Sequence, residues 1–456
     1  MNDQSRLGTG RPTPTYQDIM RSDGGRIADV LALDVNPKQA GGRVSFDRYT
    51  SQTFFDREME KMWGKVWQFA CRDEHVPEIG DYYVYDIGRS SIIVVRTADG
   101  LRAYYNSCLH RGTKLKESAS SGCSAVIQCP YHGWTWGLDG TLLDVPCPWE
   151  FPHVDTSAMP LPKARVESWN SLIFVNLSDE GPGLHEYLQV LPDHFHAWTF
   201  DDWYVAVHAQ KELGCNWKAA QDAFIEAYHT GMVHPQCVGT SGDINSQHDI
   251  FSDHVSRDLV ALGVPSPSLP VPPSEQDILD QMLMGDSGIL DGGRPTLVEG
   301  ETARSVMARN MRATMDRLGV DTSGATTAEL IDSIKYTVFP NLFIFAGFSL
   351  RVLYVYRPLG MDPDRCTFDI LFMRPVPKDG TRPAPAEPVR VTEGESYAAV
   401  PGMDPGFATL FDQDTRIMRL QREGMHASKV GYGTYSTYLE SRLRHIHDVI
   451  DRYLAA

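Results

Sequence analysis

The 456-residue chain has no apolar run long enough to cross a bilayer. Its most apolar stretch, Val338 to Leu350, is interrupted by Pro340, Asn341 and Gly347. Residues 1–20 have no apolar core of the kind a secretory signal needs, so a cytoplasmic location is expected. Positive charge is also scarce: 42 Lys and Arg against 59 Asp and Glu leave a net charge of −17. A phosphate backbone needs a basic footprint, so no nucleic-acid partner is expected. No Gly-rich fingerprint follows a strand-like run, which excludes the usual dinucleotide cradle. Internal repeats are absent, as are low-complexity tracts beyond two Pro-rich loops.

What remains is the composition of a soluble globular protein, 42% apolar and 22% charged, long enough for two domains. Eight cysteines are scattered along it, at 71, 108, 123, 129, 147, 215, 237 and 366. Disulfides are rare in the cytosol, and six of these cysteines read as small hydrophobes. Cys108 and Cys129 are singled out by neighbouring histidines.

Residues 1–45 read as a flexible arm followed by an irregular segment. Phe55, Met59, Met62, Trp63 and Val66 recur at helical spacing and predict a helix over Thr53–Val66. Residues 80–106 switch to period-two alternation with Gly-containing turns, the mark of a small antiparallel sheet. Strand pairs are also expected in "WTWGLDGTLLDV" and "ARVESWNSLIFVNLS". A helix is expected from Glu212 to Gln236, and a long Pro/Gly/Ser-rich loop or lid over 255–300. Strands return in "YTVFPNLFIFAGFSLRVLYVYRPLG" and "CTFDILFMRPV", a Pro-rich loop covers 375–389, and two helices end the chain.

Two ligand-like pairs, Cys108-Leu-His110 and Cys129-Pro-Tyr-His132, stand 18 residues apart. A structural zinc ion also accepts two Cys and two His. Zinc patterns, however, usually group cysteines with cysteines, whereas each pair here offers one of each. That mixture suits a [2Fe–2S] cluster with thiolates on one iron and imidazoles on the other. Neutral imidazoles lower the cluster's negative charge and raise its potential. "CLHRG" and "CPYHGW" together resemble the Rieske signature of ring-hydroxylating oxygenases. The resemblance makes Cys108, His110, Cys129 and His132 cluster ligands, with Pro130, Tyr131 and Trp134 shielding the cluster and Gly112 and Gly133 turning its loops. Cys123, with no histidine beside it, reads as a non-ligand.

A cluster of this kind only relays electrons, so a second site is expected. In "NWKAAQDAFIEAYHTGMVH", His229 and His234 are about 140° apart on a regular helix. They can meet one metal only if the helix ends or distorts, and Gly231 is placed to permit that. Glu226 and His229 share a face. Two histidines and a carboxylate form the facial triad of non-haem Fe(II). The segment resembles the family's catalytic helix, which implies that His229 and His234 bind iron. The third ligand should lie in "LFDQDTRIMRLQREGM", where Asp412 and Asp414 are both candidates. Asp414 is favoured because it stands ten residues before Gly424, as in many family members, while Asp412 reads better as a helix N-cap. The resemblance further implies that Glu226 bridges His229 to His132 of an adjacent subunit. Relatives often carry Glu-Asn where this chain has Gln221-Asp222, so the role of that position cannot be carried over.

The family resemblance therefore implies an α+β protein. Its parts would be an arm at 1–45 packing on the catalytic domain, an all-β Rieske domain at 46–165, and a helix-grip catalytic domain with a curved antiparallel sheet at 166–456. It implies a terminal oxygenase that activates O2 at Fe(II) and oxygenates a small organic, commonly aromatic, substrate held in an apolar pocket. Phe224, Met232, Val233, Phe343, Phe345 and the 255–300 loop are candidate walls. Hydroxylation or demethylation of a non-aromatic substrate is the alternative reaction; a pure electron carrier and a zinc-stabilised binding protein are the alternative classes. Electrons would come from NAD(P)H through a reductase or ferredoxin, with Arg111, Lys114 and Lys116 as a candidate docking patch. A homotrimer, or an α3β3 assembly, is expected to bring cluster and iron together across a subunit boundary.

Overall fold

The computed structural model describes residues 14–36, 41–284 and 295–455. The chain begins with helices α1 (Tyr16–Ser22) and α2 (Asp29–Ala32), strand β1 (Gly42–Ser45), and helices α3 (Asp47–Thr50) and α4 (Gln52–Glu58). Thr15 and Asp18 form a capping box that starts α1. Residues 1–13 and 37–40 of the expected arm lie outside the described residues. The described part is ordered, because Tyr16, Ile19, Met20 and Leu31 are buried. The Tyr16 hydroxyl donates to Asp332 at 3.0 Å, and Arg304 pairs with both Asp23 and Asp332. The helix expected over Thr53–Val66 is present, but it passes from α4 into a π-helical turn at Met59–Trp63.

Ten strands follow: β2 (Gln68–Arg72), β3 (Asp81–Ile87), β4 (Ser90–Thr97), β5 (Gly100–Tyr105), β6 (Ser121–Cys123), β7 (Ile127–Gln128), β8 (Thr135–Trp136), β9 (Leu142–Asp144), β10 (Lys163–Trp169) and β11 (Leu172–Asn176). Seven form one antiparallel sheet in the order β2-β11-β10-β5-β4-β3-β6, and β7-β8-β9 form a small sheet of their own. The expected domain boundary at 165 falls inside β10, which pairs with β5 on one side and β11 on the other.

The rest of the chain builds a second sheet with helices against it. In order come α5 (Leu184–Leu188), α6 (Leu191–His194), β12 (Trp203–Leu213), α7 (Trp217–Asp222), α8 (Thr230–Val233), β13 (Gln247–Ile250), β14 (Val255–Val260), α9 (Glu275–Met284), α10 (Ala303–Leu318) and α11 (Thr327–Ile331). Then come β15 (Ser333–Val338), β16 (Leu342–Ala346), β17 (Val352–Pro358), β18 (Cys366–Pro375), β19 (Val389–Val391), α12 (Pro405–Ala427), β20 (Tyr432–Tyr435) and α13 (Ser441–Ala455). Eight strands run in the order β13-β14-β15-β16-β17-β18-β12-β19, antiparallel except for the β12–β19 edge pair. The expected α+β architecture, with its curved antiparallel sheet, is the one observed. No helix among the described residues is long and apolar enough to cross a membrane.

Two expectations fail here for physical reasons. The 255–300 segment is not simply a loop: Val255–Val260 is a central strand buried on both faces, so it shows no alternation, and Glu275–Met284 is helical. Residues 285–294 of that segment lie outside the described residues. The helix expected from Glu212 to Gln236 is two helices, with Glu212 still in β12. Its break spans Ala223–His229 and does not use Gly231, which sits inside α8 with a Cβ's worth of free space.

Candidate metal centres

Cys108 and His110 follow β5, and Cys129 and His132 follow β7, on two loops with the same backbone bonding. Cys108 N–H donates to Thr113 O and Cys129 N–H to Trp134 O; Gly112 N–H donates to Cys108 O and Gly133 N–H to Cys129 O. Both glycines have left-handed φ, +75° and +77°, which lets each loop close so tightly. The rings of His110 and His132 lie 4.7 Å apart, and His110 stacks on Trp134. Both cysteines are buried, and burial, reinforced by Cys129, pushes the Cys108 thiol up.

One observation tests the fit of an iron–sulfur cluster. His110 Nδ1 is buried without a hydrogen-bond partner among the described residues, as a metal ligand's free lone pair would be. Tyr131 packs on the His132 ring, with centroids 3.8 Å apart. Trp134 is buried, but Tyr131 is exposed and stacks under Arg111. The candidate donor-docking patch is partly spoken for: Lys114 pairs with Asp86 at 3.1 Å, and Lys116 lies over the Tyr82 ring.

The second centre is assembled over a long sequence distance. Asn216 caps α7 through its side chain, and α7 stops at Asp222. His229 then precedes α8 and His234 ends it with φ −123° and ψ 60°, which turns the second imidazole back toward the first. Asp414, buried midway along α12, lies 2.9 Å from His234 Nε2 and 3.6 Å from His229 Nε2. Among the described residues this is the trio of His, Cys, Asp or Glu whose ligand atoms all lie within 4.8 Å of one another.

Asp412 takes a different place. It accepts from Ser396 Oγ and from Tyr397 N–H, on the side of α12 away from the histidines. It is not the helix N-cap either: Asp404 caps α12, eight residues earlier.

Each histidine is oriented from behind. His229 Nδ1 is 2.7 Å from Glu226 Oε1, and His234 Nδ1 is 2.8 Å from Gln413 Oε1. Both Nδ1 atoms therefore carry the proton, leaving Nε2 lone pairs aimed at Asp414 and a metal. Burial works to lower His229, but Glu226's hydrogen bond and charge, with Asp414's charge, hold it above the ordinary imidazole value. Gln413 escaped the sequence reading, although its place beside Asp414 was the available signal.

A cavity of about 420 Å³ opens beside the triad and is lined by two of its members, His229 and Asp414. Its lining includes His229, Asp414, Val233, Phe46, Ile417 and Tyr435 and, among the described residues, no lysine or arginine. Four carboxylates face it: Asp222, Glu226, Asp414 and Glu440. Of the expected apolar walls only Val233 lines it. Met232 is 90% exposed, while Phe224, Phe343 and Phe345 are core residues packed on Tyr354, Tyr356 and Phe368.

Comparison with known proteins follows the same division. The family profile "Ring hydroxylating alpha subunit (catalytic domain)" matches residues 194–456, and the "Rieske [2Fe-2S] domain" profile matches 66–159. The anthranilate 1,2-dioxygenase large subunit of Acinetobacter baylyi is 31% identical over 222 residues, 46% of each chain. The glycine betaine monooxygenase oxygenase subunit of Chromohalobacter salexigens is 31% identical over 234 residues, 51% of this chain and 52% of that protein. The chain thus spans about half the length of the curated relatives it matches. A crystal structure of a quaternary ammonium Rieske monooxygenase with L-carnitine aligns with a TM-score of 0.62 at 16% identity, covering 92% of this chain and 99% of that one. Naphthalene 1,2-dioxygenase with indole bound gives a TM-score of 0.62 at 18% identity, covering 92% and 94%. At these identities the structural likeness shows the fold alone.

Proposed function

As the chain belongs to the ring-hydroxylating alpha-subunit family, whose catalytic-domain profile it matches over more than half its length, we propose that it is a terminal oxygenase component. Its N-terminal part is a Rieske [2Fe–2S] domain, and its C-terminal part is of the kind that binds a mononuclear iron. In this reading NAD(P)H electrons, passed on by a reductase or ferredoxin, drive insertion of oxygen from O2 into a small organic substrate. The carrying observation is the convergence of His229, His234 and Asp414 in one chain with two cluster-binding loops.

Cys108, Cys129, His110 and His132 would hold the cluster, and His229, His234 and Asp414 the iron. When bound, these groups supply one-electron transfer and dioxygen activation. The chain's own part is positional. Glu226 and Gln413 fix which nitrogen of each histidine faces the iron, and the wall of Phe224, Phe411, Tyr354 and Phe368 keeps water from that side.

Two exposed apolar groups support a head-to-tail ring of subunits. Tyr131, which packs on His132, and Trp149 are exposed in the cluster-bearing part, while Tyr228 and Met232, flanking His229, and Ile417, which lines the cavity, are exposed in the catalytic part. Such patches on one soluble chain mark interaction surfaces. In that ring Glu226 would accept from the partner subunit's His132, giving electrons a short bonded path to His229.

An aromatic substrate is the first reading. The second, oxygenation or demethylation of a non-aromatic substrate, is favoured by a cavity lining that, among the described residues, carries acidic groups and no lysine or arginine and so tolerates a cationic group. The test is O2 uptake with a generic reductase over a panel of neutral arenes, arene carboxylates and quaternary ammonium compounds. Substrate-dependent uptake is expected, lost in His229→Ala while the cluster's visible spectrum persists. A colourless protein that binds one zinc ion, or uptake unaffected by His229→Ala, would overturn the reading.

A further inference from the structure

The cavity beside the histidines touches a hydrogen-bonded network that the iron-binding role does not use. Asp222, the last residue of α7, lines the cavity next to Glu226 and His229. Its Oδ2 accepts the Tyr49 hydroxyl at 2.6 Å. The same hydroxyl lies 2.7 Å from His447 Nε2 and 3.2 Å from the Tyr435 hydroxyl. Tyr49 and His447 are buried, and His447 Nδ1 has no hydrogen-bond partner among the described residues. One phenol thus ties α3, α7, β20 and α13 together at the edge of the cavity.

Hydrogen counting gives this cluster two complete arrangements. Tyr49 has a single hydroxyl hydrogen. When Asp222 is ionised, that hydrogen goes to the carboxylate, and the phenol oxygen accepts from His447 or Tyr435. When Asp222 is protonated, its own O–H donates to the phenol oxygen, and the Tyr49 hydrogen turns to His447 Nε2. Neither arrangement leaves Asp222 or Tyr49 unpaired, so the site can hold or release one proton without breaking its packing.

The proposed reaction needs such a proton. Monooxygenation is R–H + O2 + 2e⁻ + 2H⁺ → R–OH + H2O; dihydroxylation is R + O2 + 2e⁻ + 2H⁺ → R(OH)2. Both consume two protons, with the electrons from NAD(P)H through the partner proteins. We infer that Asp222, held by Tyr49 and backed by His447, donates one of them into the cavity and regains it from water there after product leaves. This rests on the oxygenase reading and deepens it.

The other carboxylates of the cavity are committed elsewhere. Glu226 holds His229 through two hydrogen bonds, Asp414 faces both histidines, and Glu440 accepts from Ser436 N–H. The groups facing Asp222 also favour a retained proton. Burial pushes its carboxyl up to about 7, and Glu440 and Glu226 add to this, while Tyr49's hydrogen bond and Lys218's charge pull the other way. Lys218 is itself engaged by buried Glu58 at 2.7 Å, and Arg48 bears on both Lys218 and His447. Burial keeps His447 well below the ordinary imidazole value, hence neutral.

The test uses the full-length, iron-loaded protein. Infrared difference titration should show a protonated-carboxyl band vanishing with a midpoint near 7, absent in Asp222→Asn. In Tyr49→Phe the midpoint should move upward, since a bond that stabilises the carboxylate is gone. In turnover, kcat should fall above the same midpoint. Asp222→Asn should lose that limb and at least about tenfold in kcat, with KM within about twofold. Should Asp222→Asn fail to fold, Tyr49→Phe, which keeps the ring, carries the test through the upward shift of the limb. An active enzyme whose limb and band are indifferent to both substitutions overturns this inference alone. A protein inactive toward every substrate overturns the oxygenase reading, and this inference with it.

Discussion

The two candidate metal centres are built by opposite routes. The first draws four donors from within 25 residues and holds them on two loops with matching local hydrogen bonds. The second joins His229 and His234 to an aspartate some 180 residues downstream, and only the packing of α12 against α7 brings them together. A centre made of local loops depends mainly on its own turns. A centre made across the fold depends on the surrounding core and on side chains that aim its ligands. This contrast yields ordered ways to break one centre and spare the other.

The largest effects are losses of a metal. Cys129→Ser should abolish the cluster's visible absorbance and all turnover, while metal analysis still finds the mononuclear iron. Asp414→Asn should do the reverse, with the cluster spectrum intact and the second iron gone; Asp412→Asn should leave both metals in place. Removing an orienting group is milder. Gln413→Leu should weaken iron binding about 10–100-fold, read by chelator competition, because His234 loses the acceptor that fixes its Nδ1 proton. For the local centre the comparable change is Gly133→Ala. A left-handed φ there costs an L-residue about 1–2 kcal/mol, seen as a lower melting temperature with the cluster still bound.

A smaller, pH-dependent effect separates the cavity's edge from both metals. Folded Asp222 keeps its proton up to about 7, whereas an unfolded carboxyl gives it up near the ordinary value. The folded state therefore binds the extra proton between those limits. The stability this brings is fully present at low pH and is lost as pH rises through about 7. Relative to Asp222→Asn, the wild-type melting temperature should be higher at pH 5 than at pH 8. Equal differences at both pH values would remove the retained proton.

The same contrast explains what could be read in advance. Cys108, His110, Cys129 and His132 announce themselves because their spacing is their geometry. The strands from Asp81 to Tyr105 were legible because β-branched and aromatic runs are punctuated there by Gly-containing turns, although both faces of β4 are buried. Val255–Val260 was not, since a strand buried on both faces carries no period, and polar Ser256, Arg257 and Asp258 disguised it further. Their burial makes sense only across the fold: Arg257 pairs with Asp249, and Arg442 of α13 with Asp258. The break of the iron-binding helix was expected from the angle between His229 and His234, but its position was assigned to Gly231, a residue with no steric reason to be glycine. Tyr49 and His447 sit in unrelated parts of the sequence, and no local pattern could have joined them to the site.

One pairing gives the chain an unusual integrity. Strand β1, at Gly42–Ser45, lies ahead of the cluster-bearing sheet, yet its antiparallel partner is β20, at Tyr432–Tyr435. In topological terms both large sheets are therefore enclosed between two strands that zip together. Cutting the first 45 residues away would strip β20 of its neighbour and bare a strand edge that invites self-association. The shortened chain would thus be more aggregation-prone than the intact one, even though its eight-stranded sheet would lose none of its strands.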